Sequence, residues 1–236
     1  MSDSAIMFIV VPIVIAAVAV GIYYSYLASK KRREALIALA TELGFTFDPG
    51  KDRSHDDFYA HFEIFRKGHS RAAYNTLRGE TTIDDRQYSI KMGDFKYKVT
   101  HHSGKSTSTT TYNFSYVIVH LPFAQVPDLL IRPENFFDKI AGTFGFDDID
   151  FESVEFSRRF LVKSKDKRFA YDLIHPRMME FLLAYKPPCI DLENGRCCLA
   201  DGSRRWTPEQ FKSFIQFMAQ FIDLWPDHLT RQLDSQ

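Results

Sequence analysis

Residues 104–107 read GKST, the last part of the phosphate-binding loop G-x-x-x-x-G-K-[ST] of nucleotide hydrolases. That loop needs a first glycine five residues before Gly104, and this position holds Val99. It also needs a helix after it, because the amides at a helix N-terminus hold the phosphates. The residues that follow, TSTTTYNFSYVIVHL, are instead typical of a strand. We therefore predict a hairpin tip here and expect no bound nucleotide.

The acidic stretch DDIDFE at residues 147–152 is the best candidate for a metal site. In an extended chain Asp148, Asp150 and Glu152 share one face, and their oxygens suit Mg²⁺ or Ca²⁺. The EF-hand pattern and its glycine are absent. Arg158 and Arg159 follow closely, so charge pairing is the alternative that we favour, and we predict no cofactor.

The cysteines offer little for catalysis or zinc binding. Cys197 and Cys198 are adjacent and lack a C-x-x-C partner pair, which excludes the usual zinc spacing. Cys197 could act as a nucleophile with His175, but burial as a small apolar residue is the simpler interpretation. The eight histidines are scattered and form no H-x-x-x-H or H-E-x-x-H pair. No catalytic residue can be assigned from these patterns.

Overall charge excludes a general attraction to nucleic acid. The chain has 236 residues, and its 30 basic side chains balance its 30 acidic ones. The 22 phenylalanines are enough to build a substantial core. The three cysteines are too few for the disulfide framework of a small secreted domain.

An uncharged, largely apolar stretch opens the chain between Ala5 and Leu27. It exceeds the ~20 residues that a helix needs to cross a bilayer, and three tyrosines near its end fit an interfacial belt. A secretory signal would begin with positive charge, whereas this chain begins MSDS. A buried core helix is the other alternative, but four basic residues follow the stretch at once. We therefore predict a transmembrane helix over 5–28.

The basic residues set the predicted orientation. They are Lys30, Lys31, Arg32 and Arg33. By the positive-inside rule they keep their side in the cytoplasm, so the protein is predicted to be single-pass in the inner membrane with its N-terminus outside. They could also contact anionic lipid, although setting the topology alone explains them. The predicted boundaries are 1–4 outside, 5–28 in the membrane, 29–44 as a juxtamembrane helix and 45–236 as the cytoplasmic domain, with two subdomains, 45–132 and 133–236, as an option.

Periodicity places this domain in the α+β class, with a mainly antiparallel sheet. Apolar spacing predicts that the juxtamembrane helix docks on the domain and ends at Gly44. A meander of strands follows from Phe58 to Leu121, and its alternation changes parity near Gly93, which indicates a bulge or a bend.

Helices and strands alternate in the second half. A strand ends near Pro133 and a helix follows; residues 147–164 are predicted to return to strand, and 165–174 and 176–185 form two short helices. Asn194-Gly195 predicts a hairpin in which Leu192 faces Cys197 and Asp191 faces Cys198. A final amphipathic helix begins with a Thr207–Gln210 capping box and extends to Trp225.

Three stretches, GDFKYKV at 93–99, IRPENFFDKIAGTFGFDDIDFES at 131–153 and EFSRRFLVKSKDKRFAYDLIHPRMMEFLL at 155–183, resemble a family of uncharacterised bacterial membrane-anchored proteins. The resemblance covers most of the chain after Phe45. It implies one or two N-terminal spans and a cytoplasmic α+β domain. It implies no catalytic residues or ligand, because none are established for that family.

Two classes of function remain. The first is a membrane-tethered, non-enzymatic interaction domain that binds a protein partner or lipid head groups. The second is a membrane-anchored, hydrolase-like enzyme whose site is dispersed in the sequence. A cleft with converging titratable groups would favour the enzyme, and a shallow surface with an exposed apolar patch would favour the interaction domain.

Overall fold

The computed structural model describes residues 3–83, 85–104, 106–123, 125–134 and 148–235. The chain begins with one helix, α1 (Asp3–Leu43), which is unbroken between the apolar stretch and the basic residues. The predicted segments 5–28 and 29–44 both fall within it. As predicted, α1 ends at Gly44, whose left-handed φ of 69° suits glycine because it has no Cβ.

The two parts of α1 have different surroundings. An 18-residue stretch within it has a mean hydropathy of 1.9, and none of that stretch is buried in the protein. Ile22, for example, is 66% exposed. Later in the helix Leu36, Leu39 and Ala40 are buried against the sheet. α1 is therefore long and apolar enough to span a bilayer, and its last turns belong to the core of the domain.

A single antiparallel sheet of eight strands forms the centre of the domain, in the order β1-β2-β3-β4-β8-β7-β5-β6. The strands are β1 (Thr46–Asp52), β2 (His69–Ile83), β3 (Arg86–Ser103), β4 (Ser106–His120), β5 (Leu129–Pro133), β6 (Phe160–Ser164), β7 (Cys189–Glu193) and β8 (Arg196–Ala200). The α+β class is confirmed. The one sheet draws strands from both halves of the chain.

Helices connect and cover the strands. They are α2 (His55–Phe58), α3 (Val154–Arg159), α4 (Lys167–Leu173), α5 (Pro176–Tyr185), α6 (Pro208–Asp223) and α7 (Asp227–Asp234). The two short helices and the C-terminal helix are confirmed. Thr207 accepts from the Gln210 amide and the Gln210 side chain accepts from the Thr207 amide, so the predicted capping box is formed.

One predicted strand is wrong in part and another is wrong throughout. Residues 154–159 form α3, because the Ser153 hydroxyl accepts from the Phe156 amide and starts a helix; only 160–164 are strand. Residues 58–66 form the end of α2 and a 3₁₀ turn at Glu63–Arg66, whose apolar side chains cover the sheet. The helix predicted after Pro133 falls largely on residues 135–147, outside the described residues.

The sheet has a core on each face. The larger cluster lies between the sheet and α1, α4, α5, α6 and α7. The smaller one lies under residues 59–65 on the opposite face. The β7–β8 hairpin shows both faces: Leu192 pairs with Cys197, which joins the larger cluster, and Asp191 pairs with Cys198, which joins the smaller one. The predicted register of this hairpin is confirmed.

Candidate functional site

A buried ion pair joins α1 to the middle of the sheet. The Arg32 guanidinium donates from Nε to one oxygen of Asp94 at 2.7 Å and from Nη2 to the other at 2.5 Å. The Asp94 side chain is fully buried. This two-pronged geometry is the strongest that an arginine and a carboxylate can form.

Further hydrogen bonds complete the pair. Asn75 donates to Asp94 at 3.1 Å and the Ser115 hydroxyl donates to it at 2.8 Å. Arg32 Nη1 donates to the carbonyl of Trp206 at 2.9 Å. We call these five residues the anchor network. Because a buried ion pair is tolerated only when its remaining polar atoms are bonded, these partners allow Asp94 to stay inside.

A bulge in β2 shapes the network. Asn75 has a left-handed φ of 50°, and the β2–β3 register shifts between Tyr74 and Leu77. The bulge brings the Asn75 carbonyl so close to Gly93 that an added Cβ would lie 2.8 Å from its oxygen. The predicted irregularity near Gly93 is therefore present, but it lies in β2 opposite this glycine, and β3 itself is continuous.

Sequence reasoning missed this use of Arg32, which was grouped with its three basic neighbours. Lys31 and Arg33 are exposed, and exposed Lys30 lies 3.9 Å from Glu34 on the same helix. Arg32 is the member of the group that faces the domain. A signal was available, because Arg32 precedes Leu36 and Leu39 by four and seven residues and so shares their buried helical face.

A second cluster of polar side chains lines a cleft of about 340 Å³ on the opposite face of the sheet. We call it the Tyr59 cleft, after the residue at its centre. The Tyr59 hydroxyl lies 3.2 Å from His120 Nε2, and Lys91 Nζ lies 4.9 Å from the centre of the Tyr59 ring. Lys91 also pairs with Asp52 at 3.4 Å. Arg78 adds a third cationic or basic group to the lining.

Burial controls the protonation of these groups. It raises the pKa of Tyr59 to about 12, against the opposing charge of Arg196. It lowers the pKa of His120, and the charges of Arg196 and Lys91 add to that effect. It also lowers the pKa of Lys91, partly offset by Asp52. At neutral pH the cleft therefore presents a neutral phenol, a neutral imidazole and an ammonium group.

Chemically, these groups can donate hydrogen bonds and attract an anion. Burial alone would raise the pKa of Asp52, but hydrogen bonds from Ser54 and the charge of Lys91 outweigh it, so the pKa is lowered. Asp52 is thus a poor general base at neutral pH. The Ser54 hydroxyl donates to Asp52 at 2.7 Å, so it is held as a donor to that carboxylate. The arrangement suits recognition of negative charge.

Below this cleft lies His55, which sequence analysis did not single out. It is fully buried among the rings of Tyr59, Phe65, Phe95 and Tyr116. Burial lowers its pKa to about 2, and neither ring nitrogen has a partner within the described part of the chain. His55 is therefore a neutral member of an aromatic core.

The predicted acidic site is spread along an exposed edge. Asp148, Asp150 and Glu152 are exposed and alternate with buried Ile149 and Phe151, so they share the predicted face. Asp148 pairs with Lys163 at 3.1 Å. Across residues 3–134 and 148–235, apart from the gaps given above, no three His, Cys, Asp or Glu side chains converge as metal ligands. Metal binding at these acids was the less favoured of the two interpretations, and it stays untested.

The other candidate residues from the sequence lie in a turn, in the core and at a helix cap. Ser103 pairs with Ser106 across the β3–β4 turn and Gly104 has a φ of 56°, so the predicted hairpin is confirmed; Lys105 lies outside the described residues. Cys197 is fully buried, and burial raises its pKa. His175 caps α5 and bonds to the Leu224 carbonyl at 3.1 Å, so its ring nitrogens serve the packing of α5 and α6.

The fold resembles that of a mycobacterial protein. A crystal structure of the mycobacterial trehalose monomycolate transport factor A, TtfA, superposes with a TM-score of 0.54 over 84% of this chain and 96% of that chain. The two sequences are 12% identical, so the likeness is one of fold. No protein-family model matches the chain, and no curated protein sequence matches it.

Proposed function

We propose that this chain is a membrane-tethered interaction domain, which α1 holds at the bilayer surface and which binds a protein partner without catalysing a reaction. The anchor network carries this proposal. Arg32 follows Leu27, the last residue of the apolar stretch, by only about 7.5 Å of helix, so its bond to Asp94 leaves no room for a flexible linker. A domain fixed in this way keeps one surface at a constant height above the bilayer, as docking requires.

The proposed orientation follows from charge. Lys30, Lys31 and Arg33 lie just past the apolar stretch, and each is exposed. The positive-inside rule then gives a single-pass protein of the inner membrane, with its N-terminus outside and the sheet domain in the cytoplasm.

The Tyr59 cleft is the surface that suits a partner. Phe58 stands at its rim with 60% of its surface exposed, and the Arg196 guanidinium lies 5.2 Å from the centre of the Phe58 ring. Aromatic and arginine side chains dominate the binding energy of many interfaces. Lys91, Arg78 and Arg196 outnumber the single carboxylate of Asp52, so the partner is proposed to present an acidic segment.

The structural neighbour offers limited support. It is named as a transport factor, so one protein with this fold has been assigned a role in transport. A docking domain fixed to a membrane is compatible with such a role.

Photocrosslinking tests the proposal. The full-length protein would carry a photoreactive phenylalanine analogue at position 58 and be irradiated in its own membrane. We expect one dominant crosslinked partner, and we expect the yield to fall when Lys91→Gln and Arg196→Gln are combined. Position 171, where Tyr171 is 49% exposed on α4, is the matched control. Equal crosslinking from both positions, or an undiminished yield in the double variant, would contradict the proposal.

A second candidate function is a membrane-anchored hydrolase that uses the same cleft. The convergence of Tyr59, His120 and Lys91 favours it, because enzymes gather perturbed titratable groups in clefts. A panel of ester and phosphoester substrates distinguishes the two. Turnover that is abolished by both Tyr59→Phe and His120→Gln would establish the enzyme and replace the interaction domain.

A further inference from the structure

We propose that a basic cleft at the bilayer-facing end of β1, β2 and β3 binds the phosphate of an anionic phospholipid headgroup. The cleft has a volume of about 490 Å³, and Lys51, Arg53, Lys96 and Lys98 line it. The proposal rests on the membrane anchoring by α1 proposed above. It adds a lipid site that is separate from the Tyr59 cleft.

The four cations lack neutralising partners. Arg71 also lines the cleft, but its charge is taken by Asp56 at 2.6 Å. Among the residues that the structure describes, no carboxylate pairs with Lys51, Arg53, Lys96 or Lys98. Like charges held together without a counter-charge repel one another, and a bound anion relieves that repulsion.

Lys96 is subject to both burial and this repulsion. Its pKa is lowered, first by burial and then by the neighbouring charges of Lys51, Lys98 and Arg53. Its ammonium group is also held in place, since Nζ lies 5.7 Å from the centre of the Tyr74 ring. Tyr74 is fixed in turn by its hydrogen bond to Asn113 at 3.1 Å. The monoanionic phosphodiester of a phospholipid headgroup is a suitable counter-ion for such a preformed cluster.

The basic cleft lies on the membrane side of the domain, as the contacts between α1 and the sheet indicate. The C-terminal end of α1 reaches the level of Ile90, because Phe45 packs against Gly79, the residue that pairs with Ile90. Arg32, at the other end of the docked segment, reaches Asp94. Moving along α1 toward the bilayer therefore means moving along β3 from Ile90 to Asp94 and on to Lys96.

Distances support the same placement. The helix rises about 17 Å between Arg32 and Leu43, and β3 rises about 14 Å between Ile90 and Asp94. Because these lengths are similar, the axes of α1 and β3 are roughly aligned over this segment. Lys96 lies about 7 Å beyond Asp94, and the apolar stretch ends about 7.5 Å before Arg32. Lys96 therefore lies on the bilayer side of Asp94, toward the interface where headgroup phosphates lie.

Hydroxyl groups complete the cleft. Ser70 and Thr111 line it beside the cations and can donate hydrogen bonds to phosphate oxygens. A lipid of the same bilayer is the phosphate source that this position favours, since it needs no diffusion from solution. Free phosphate has the same chemistry and is separated by the experiment.

Native mass spectrometry of the full-length protein in a neutral detergent provides the test. Phosphatidylglycerol, phosphatidylcholine and inorganic phosphate would be titrated separately and the first dissociation constant measured. Lys96→Gln with Lys98→Gln should weaken phosphatidylglycerol binding by about fivefold for each charge, or about 25-fold together. Lys167→Gln with Arg168→Gln removes the same charge from α4, which follows β6 at the opposite edge of the sheet from β1, and should change phosphatidylglycerol binding less than twofold.

Phosphatidylcholine has the same phosphate but no net negative charge and should bind more weakly than phosphatidylglycerol; equal binding of the two lipids would overturn the site. Unchanged phosphatidylglycerol binding in the Lys96/Lys98 variant would overturn the site, and so would an equal loss in the α4 control. If inorganic phosphate binds as tightly as phosphatidylglycerol, the ligand of this cleft is a soluble anion and the lipid proposal is wrong. If the first variant fails to fold, Lys51→Gln with Arg53→Gln, at and just after the end of the edge strand β1, repeats the test. Membrane sedimentation and crosslinking from position 58 should persist in all variants; their failure in the unaltered protein would refute the proposed function instead.

Discussion

Replacing Arg32 by methionine should destabilise the domain more than any other change in the basic segment. Methionine keeps most of the apolar stem of arginine but removes all five donors, which leaves the fully buried Asp94 carboxylate with only Asn75 and Ser115. Removing one partner of a buried ion pair costs about 3–5 kcal/mol. For a domain of this size that corresponds to a fall in Tm of roughly 6–20 °C.

The assay is thermal unfolding of the full-length protein in detergent, followed by the fluorescence of its two buried tryptophans, Trp206 and Trp225; the carbonyl of Trp206 bonds to Arg32. Arg33→Met is the matched control, because it removes the same charge from an exposed neighbour and should stay within about ±0.5 kcal/mol. Adding Asp94→Leu to Arg32→Met should recover part of the loss, since the unpaired charge is then gone. Equal effects of Arg32→Met and Arg33→Met would refute the role of the anchor network.

Three further predictions follow from packing and protonation. Gly93→Ala should cost about 1–3 kcal/mol in urea unfolding, because its Cβ would meet the β2 backbone, whereas Gly21→Ala meets nothing within 4 Å and should have no effect on the domain. A chain that starts at Lys30 should be soluble and folded, because Arg32, Leu36 and Leu39 belong to the domain. A chain that starts at Gly44 should not fold, and a folded Gly44 chain would show that the domain does not need α1. The pKa of His55 is about 2 in the folded protein and about 6.5 in the unfolded chain, so the unfolded chain takes up a proton first as the pH falls. His55 therefore lowers the free energy of unfolding by ~1.4 kcal/mol for each pH unit below about 6.5. His55→Leu should remove that pH dependence between pH 6.5 and 5. Burial raises the pKa of Glu193 to about 7, which changes stability in the opposite sense but equally in both proteins. An unchanged pH dependence in His55→Leu would contradict the burial of a neutral His55.

Features with strong local signals were predictable from the sequence. The Asn194-Gly195 turn, the capping box at Thr207 and the end of α1 at Gly44 each depend on a few adjacent residues, and each was predicted at the right position. Residues 153–159 were misassigned because their apolar positions also fit a strand. Ser153 is a helix N-cap and indicated a helix, but the alternation of polar and apolar residues in the same stretch favoured a strand.

The sites could not be predicted in the same way. Arg32 and Asp94 are separated by 62 positions, and nothing near Asp94 indicates that its partner lies in the basic segment. The Tyr59 cleft is assembled from β1, α2, β2, β3 and β4, so its members meet only once the sheet has formed. The basic cleft likewise depends on the register that places Ala72 opposite Lys96. Such constellations are properties of the fold.

The topology of the full-length protein tests membrane tethering by α1 without assumptions about its ligand. A reporter that fluoresces only in the cytoplasm and one that is active only outside would each be fused after Gln236, and membranes would be washed at high pH. We expect a cytoplasmic signal that stays with the membrane, and its release into the soluble fraction when residues 1–29 are deleted. An external signal, or a chain shortened by cleavage after the apolar stretch, would contradict membrane tethering by α1 in the proposed orientation.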